Sequence, residues 1–210
     1  MSTVPEAYAE VLPRAFYEGG DVVALARKLL GQWLCSRSGG AFTAGRIVET
    51  EAYDHARDRA CHAYLGRNTR RTQTMFMAGG TAYVYLCYGI HHLLNVVANP
   101  EGSPDAVLIR AVAPQAGLET MLARRRMDKH KPTVTAGPAC LTQAMGITTA
   151  LDRCDLTDPG ASPIWIARGT VAPEAEIATG PRVGIDYAGE DAALPWRFWE
   201  RANRYVSKAK

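Results

Sequence analysis

At 210 residues, with a formal charge of +3, 47% hydrophobic and 21% charged residues, the chain has material for one sizeable core, and a second domain would be a squeeze. No apolar run approaches the ~18 residues that span a bilayer, and MSTVPEAYAEVLPRAF lacks the charged-then-apolar order of a secretory signal, so a cytosolic protein is predicted. The five cysteines are scattered, odd in number and without a C-x-x-C pair, which argues against a disulfide framework or structural zinc and predicts reduced, largely core residues.

After a Pro-containing leader over residues 1–20, Asp21 can cap a helix whose apolar positions Val22, Leu25, Leu29 and Leu30 follow helical spacing. Gly31 suits its end, QWLCS reads as a first strand, and Gly39-Gly40 turns the chain into FTAGRIVETEAY, a long strand. If that strand stays extended, Ile47, Glu49, Glu51 and Tyr53 share one face. From Asp54 to Thr74 the chain is polar, arginine-rich and aperiodic, which predicts a long loop of the kind that carries function or is disordered.

TAYVYLCY and LLNVVAN read as two strands joined by a tight turn around Gly89. AVLIRAV is a further strand, ended by Pro114, and Leu118, Met121 and Leu122 space a helix from Ala116 to about Met127. A shorter helix follows Gly137-Pro138 and stops near Gly146. Trp165, the RVGI run and PWRFW suggest short strands in the last third. Strands dominate the middle and helices flank them without strict alternation, so the predicted fold class is α+β.

Glu49 and Glu51 stand in an otherwise apolar strand beside Arg46. On pattern they suit the wet face of a half-exposed strand; the functional alternative is a carboxylate held over a cleft to deprotonate water. Tyr83, Tyr85 and Tyr88 favour strand packing, yet Tyr88 adjoins the turn glycine, where a hairpin tip has little core to reach. Exposed aromatics near arginines such as Arg67, Arg70 and Arg71 can stack on bases or wedge between base steps, although those arginines also suit a solvated loop. His55, Cys61 and His62, like His91 and His92, lack the spacing of a zinc signature, and the adjacent pair would point to opposite faces of a strand. No Walker-type loop or dinucleotide fingerprint is present.

RIVETEAY, His62, MFMAGGTAYVYLCYG, Asn95 and VLIRAVAP, in that order and spacing, resemble the alkyladenine (3-methyladenine) DNA glycosylase family. The likeness runs from LARKLLGQ to RVGI and the PWRF…YVS ending, nearly the whole chain. It implies a bacterial-type member without a long N-terminal extension, acting near the nucleoid. The implied fold is a single compact mixed domain around a curved, mainly antiparallel sheet with a protruding, DNA-inserting β-hairpin. The implied activity is monofunctional base excision repair. Alkylated or deaminated purines such as 3-methyladenine, 7-methylguanine and hypoxanthine are flipped from double-stranded DNA, and a Glu-activated water hydrolyses the N-glycosidic bond. No cofactor, metal or membrane is implied, and a monomer is expected.

On the same resemblance Glu51 is the general base, and Arg110 helps to hold the water, with the backbone carbonyl of Val183. Tyr53, His62 and Tyr85 match the walls that sandwich the flipped base, Asn95 the amide at the pocket floor, and Tyr88 the side chain that fills the gap in the duplex. Arg67 and Arg71 align with arginines near the DNA backbone. Glu49→Gln is expected to reduce base release far less than Glu51→Gln. Ile90-His91-His92 after the tip glycine, and Cys140 where a lysine is common, depart from the family pattern and bear on DNA grip and damage range. A non-catalytic damaged-DNA-binding module would use Glu51 structurally. A lyase would need a lysine nucleophile, whereas the lysines fall at Lys28, Lys129, Lys131 and the tail, outside the pocket motifs.

Overall fold

Alternation along neighbouring strands gives this fold two unlike faces, one greasy and helix-covered, the other lined with chemistry. The computed structural model describes residues 5–208. Its strands are β1 (Trp33–Ser36), β2 (Thr43–Tyr53), β3 (Ala82–Cys87), β4 (His91–Ala98), β5 (Asp105–Ala116), β6 (Ile164–Ala167), β7 (Ile177–Gly180) and β8 (Arg197–Glu200). They form one 8-stranded sheet in the order β3-β4-β5-β2-β1-β6, with β8 pairing both β2 and β7, and the named pairings are antiparallel. The helices are α1 (Val22–Lys28), α2 (Leu118–Arg125) and α3 (Pro138–Met145). The mixed α+β architecture read from the order of elements therefore holds.

Asp21 caps α1 as expected, its Oδ1 accepting from the Val23 and Ala24 amides at 2.9 and 3.0 Å, a contribution of about 1 kcal/mol. Gly31 follows with φ +89°, and a Cβ there would lie 2.0 Å from the Thr170 carbonyl oxygen, so only glycine fits. Leu25, Leu29 and Leu30 pack with Val84, Leu94, Val96, Val107 and Ile109 in the main core; each such buried side chain stabilises by roughly 1.5–3 kcal/mol. Leu12 and Tyr17 are buried in the same cluster, and Trp165 Nε1 donates to the Tyr8 carbonyl at 3.1 Å.

The alternate residues of the same strands face the other way. Tyr83, Val97 and Ala106 form a second cluster with Cys61, Ala63 and Met75, against which Tyr53 and Tyr85 pack. The segment from Asp54 to Thr74 supplies the cover of this face. It is a loop, as read, with one short 3-10 turn at Tyr64–Gly66 and another beginning at Gln73. Burial of Asp58, Cys61, Ala63 and Thr72 ties it down.

Several expectations change. Ile47 does not share a face with Glu49, Glu51 and Tyr53, because it packs in the main core together with Ala52. Register slips on both sides of Glu49 cause this: Val48 is an extra residue on β2, and Arg110 one on β5. Strand β5 runs through Pro114 to Ala116. Its pairing with β4 covers only Asp105–Leu108, so near Pro114 that edge has no strand partner to demand an amide donor. RVGI is irregular rather than a strand. The cysteines are free, but Cys35 and Cys61 alone are buried, while Cys87, Cys140 and Cys154 are half-exposed.

Candidate active site

Register carries Tyr83, Asn95, Leu108 and Glu51 onto one row across β3, β4, β5 and β2. With strands ~4.8 Å apart, Glu51 and Asn95, 44 positions distant in sequence, come to lie two strands apart. Beside this row opens a cavity of about 690 Å³ lined by Tyr53, His62, Arg71, Tyr85, Tyr88, Asn95, Arg110 and Val183. That volume lies within the ~300–1,000 Å³ of small-molecule sites and is large enough for a purine ring system. Arg67 stays outside it, exposed on the loop. Glu51 has no exposed surface and sits directly behind three lining groups that bind it.

Both carboxylates are fully buried, 0% exposed, which overturns the wet-face explanation of the pair. Their environments differ. Glu49 Oε1 accepts from Arg110 Nε at 2.7 Å, Arg197 Nε at 2.7 Å and Ser207 Oγ at 2.8 Å, and Oε2 accepts from the Ser207 amide at 2.7 Å. Three of these bonds fall on Oε1 and one on Oε2, and of the donors only Arg110 lines the cavity. Glu51 Oε1 accepts from the Val183 amide at 2.8 Å and lies 3.2 Å from Arg110 Nη1, while Oε2 accepts from the Tyr53 hydroxyl at 2.8 Å. Oε2 therefore keeps an open lone pair. Two carboxylates and the guanidiniums of Arg110 and Arg197 balance in charge, which is what makes such burial tolerable. Although burial works against its charge, Glu51 and Glu49 hold Arg110 above the usual arginine range. Burial, followed by the charge of Glu51, pushes the Tyr53 phenol well up, so it keeps its proton and is the donor.

The walls are aromatic. His62 meets Tyr85 edge-on with centroids 4.7 Å apart, and Tyr85 lies 5.4 Å from Tyr83. Arg71 places its guanidinium carbon 4.9 Å over the Tyr85 ring and its Nη2 3.3 Å from His62 Nε2. Arginine only donates, so Nε2 is the acceptor and Nδ1–H donates to the Tyr83 hydroxyl, 3.0 Å away. Burial above all, then Arg71, presses His62 down to about 4. It is neutral at physiological pH and does not repel a cationic ring.

That depression couples to stability. The unfolded chain takes up the proton near the ordinary value of about 6.5, so stability present above that pH is lost as pH falls through the folded value of about 4. Replacing His62 with Phe is expected to flatten the fall across that window by up to about 1.4 kcal/mol per pH unit, measured by urea unfolding at stepped pH. An unchanged slope would contradict a neutral His62.

Asn95 is 4% exposed, and its Nδ2 donates to the Tyr83 carbonyl at 3.2 Å, which pins the amide on the floor. At the tip Tyr88 is 88% exposed with φ +51°, and Gly89 follows at φ +74°. Successive left-handed residues suit a tight hairpin turn, but for tyrosine that backbone costs roughly 1–2 kcal/mol. His91 lines the cavity, whereas His92 Nδ1 accepts from the Thr149 amide at 3.2 Å on the α3 side, so the two do face opposite ways. His55 Nδ1 is 2.7 Å from Asp105, whose other oxygen takes Asn99; with Asp54 bound to Arg57, this cluster is accounted for by its own hydrogen bonds.

Two participants escaped the sequence reading. Arg182 forms a fully buried pair with Asp58, donates to the Ala52 carbonyl at 2.9 Å and backs Tyr53, its guanidinium carbon 4.8 Å from that ring. Ser207 joins Glu49 to Arg110 and Arg197. Nothing local distinguishes either, since Asp58 lies 124 residues from Arg182 and Ser207 lies 158 from Glu49. Cys140 lines the cavity and accepts from Arg125 Nη2 at 3.1 Å.

Comparison with known proteins bears on what this arrangement does. The methylpurine-DNA glycosylase family model matches residues 15–204. A protein of Myxococcus xanthus is 45% identical over 197 residues, covering 94% of this chain and 93% of its own. One of Chlamydia pneumoniae is 44% identical over 189 residues, 90% of this chain and 94% of its own. A third, of Bacillus cereus, is 43% identical over 202 residues, 93% and 98% respectively. Each of the three carries an assignment, itself inferred, as a 3-methyladenine DNA glycosylase.

Proposed function

Because the chain belongs to the methylpurine-DNA glycosylase family, we propose that it is a DNA-3-methyladenine glycosylase of base excision repair whose hydrolytic water is activated by Glu51. The observation that carries the assignment to Glu51 is the unequal placement of two adjacent buried carboxylates relative to the cavity. Glu49 is bound by Arg197 and Ser207, which lie outside the cavity, whereas both hydrogen-bond donors of Glu51, Tyr53 and the Val183 amide, line an aromatic, purine-sized cavity.

In this mechanism the damaged purine leaves the stack at a cost of about a few kcal/mol and enters between Tyr53 on one side and His62 and Tyr85 on the other. The electron-rich tyrosine faces favour a positively charged alkylpurine over a neutral one, and neutral His62 does not oppose it. As the ring of Tyr53 takes up the purine, its hydroxyl leaves Glu51 Oε2 and water replaces it. Glu51 accepts a proton from that water while the oxygen bonds to the sugar carbon C1′. The C1′–N bond breaks with its electron pair going to the purine, which cancels the charge of an alkylated base. Arg110 and the Val183 backbone hold the attacking water. Substrates extend to 7-methylguanine and hypoxanthine, with Arg67 and Arg71 on the phosphates.

Incubation with alkylated duplex DNA tests the assignment. Free base is expected, with strand breaks appearing only after alkali. Absence of free base would leave a binding module; breaks without alkali would require a lysine nucleophile, and among the described residues no lysine lines the cavity.

Tyr88 fills the gap left by the flipped base, and its strained backbone is retained for that purpose. Tyr88→Gly is expected to raise the unfolding free energy by about 1 kcal/mol yet to weaken binding to lesion-bearing duplex and slow excision. Single-stranded substrate, with little stacking to disrupt, should suffer less; equal losses on both would remove the wedge role.

Asn95 cannot withdraw from the floor while pinned on Tyr83, so it disfavours neutral guanine through the 2-amino group that adenine and hypoxanthine lack. 7-Methylguanine carries the same group but leaves because its positive charge weakens the glycosidic bond. Asn95→Ala is expected to release undamaged guanine, most visibly from mispairs, with hypoxanthine release little changed or lower. A folded variant active on 3-methyladenine but inert on guanine would show that Asn95 is not the filter.

A further inference from the structure

We infer that Ser207 is a positioning residue for base excision, acting through Arg110; this rests on the roles proposed above for Glu51 and Arg110. After β8 the chain turns at Asn203, whose Oδ1 accepts from the Tyr205 amide at 3.0 Å and whose Nδ2 donates to Glu200 at 2.8 Å. The Tyr205 hydroxyl lies 2.8 Å from His130 Nε2. These contacts return the segment to the sheet and deliver Ser207, 8% exposed, to the buried carboxylate pair.

There the serine uses every polar group it has. Its amide donates to Glu49 Oε2 at 2.7 Å, its hydroxyl donates to Glu49 Oε1 at 2.8 Å and accepts from Arg110 Nη2 at 3.0 Å, and its carbonyl accepts from Arg197 Nη2 at 2.9 Å. A hydroxyl is needed because the same oxygen must donate to a carboxylate and accept from a guanidinium. Arg110 is thereby held at three corners: Nε on Glu49, Nη2 on Ser207, and Nη1 toward Glu51 at 3.2 Å. Remove the second corner, and the guanidinium can pivot about its Glu49 bond, carrying Nη1 away from Glu51. Ser207 does not line the cavity, so it affects the chemistry without touching DNA.

The test compares Ser207→Ala, Ser207→Cys and Ser207→Thr with the wild type in the full chain. A core variant such as Ile166→Val serves as a control for general destabilisation. Single-turnover release of 3-methyladenine from duplex should fall about tenfold or more in Ala and Cys, because a small misplacement of a catalytic group has a large effect on rate. Affinity for lesion duplex should stay within about twofold, and Thr, which keeps the hydroxyl, should recover most of the rate. Arginine side-chain ¹⁵N spectra should show the Arg110 Nε signal shifted in Ala and restored in Thr. Unchanged rates and an unchanged Arg110 signal in Ala would overturn the inference. So would a rate loss that the core control reproduces at equal melting temperature, or one that Thr does not rescue while folding normally. A wild type that releases no base would instead overturn the proposed function, and the Arg110 signal would still decide whether Ser207 orients that side chain.

Discussion

Glu51→Gln is expected to abolish detectable base release while lesion-duplex binding persists at wild-type strength. The amide keeps the carboxylate's shape, and its oxygen can still accept from the Val183 amide. Arg110 keeps its charge partner in Glu49, so no guanidinium is stranded in the interior. What disappears is the open acceptor on Oε2 that takes the water proton. A positioned base contributes ~10²–10⁴-fold or more, and a loss of that size should appear in single-turnover rates alone. Turnover near wild type would remove Glu51 from the mechanism.

Glu49→Ala is expected to act on the fold. Glu49 receives Arg110, Arg197 and both donors of Ser207 with no surface exposed. Truncation leaves Arg197 without its carboxylate and Arg110 with only the longer contact to Glu51. Breaking a buried pair by removing one partner typically costs about 3–5 kcal/mol, a large part of a marginal stability of roughly 5–15 kcal/mol. Urea unfolding should show that loss, and Glu49→Gln should show much of it, while its base release should fall far less than that of Glu51→Gln. A variant as stable as the wild type would mean that the network carries no net stabilisation.

The contrast between the two glutamates marks how much the sequence could reveal. Alternation in VETEAY placed Glu49, Glu51 and Tyr53 on one side, and the sheet brings Tyr53 together with Tyr83 and Tyr85 on its loop-covered face. Ile47 was misplaced because a bulge is invisible to a period-two pattern: one extra residue at Val48 reverses which side the strand presents. Pro114 looked like a strand end because sequence cannot show which edge lacks a partner. Burial of Glu49 could not be read either, since its neutralising partners come from β5, β8 and the segment beyond. The Arg182–Asp58 pair was hidden for the same reason, and RVGI, read as a strand for its apolar residues, instead contributes a buried arginine and an amide to Glu51.

The most direct measurement is a crystal structure of the Glu51→Gln variant bound to duplex DNA carrying hypoxanthine. The purine is expected to be turned out of the duplex and stacked between Tyr53 and the His62–Tyr85 wall, with Tyr88 in the vacated space. A water should sit between residue 51 and C1′, within hydrogen-bond reach of Arg110, with the Tyr53 hydroxyl moved away from residue 51. A base bound elsewhere, or a C1′ whose nearest acidic position is not residue 51, would contradict this mechanism.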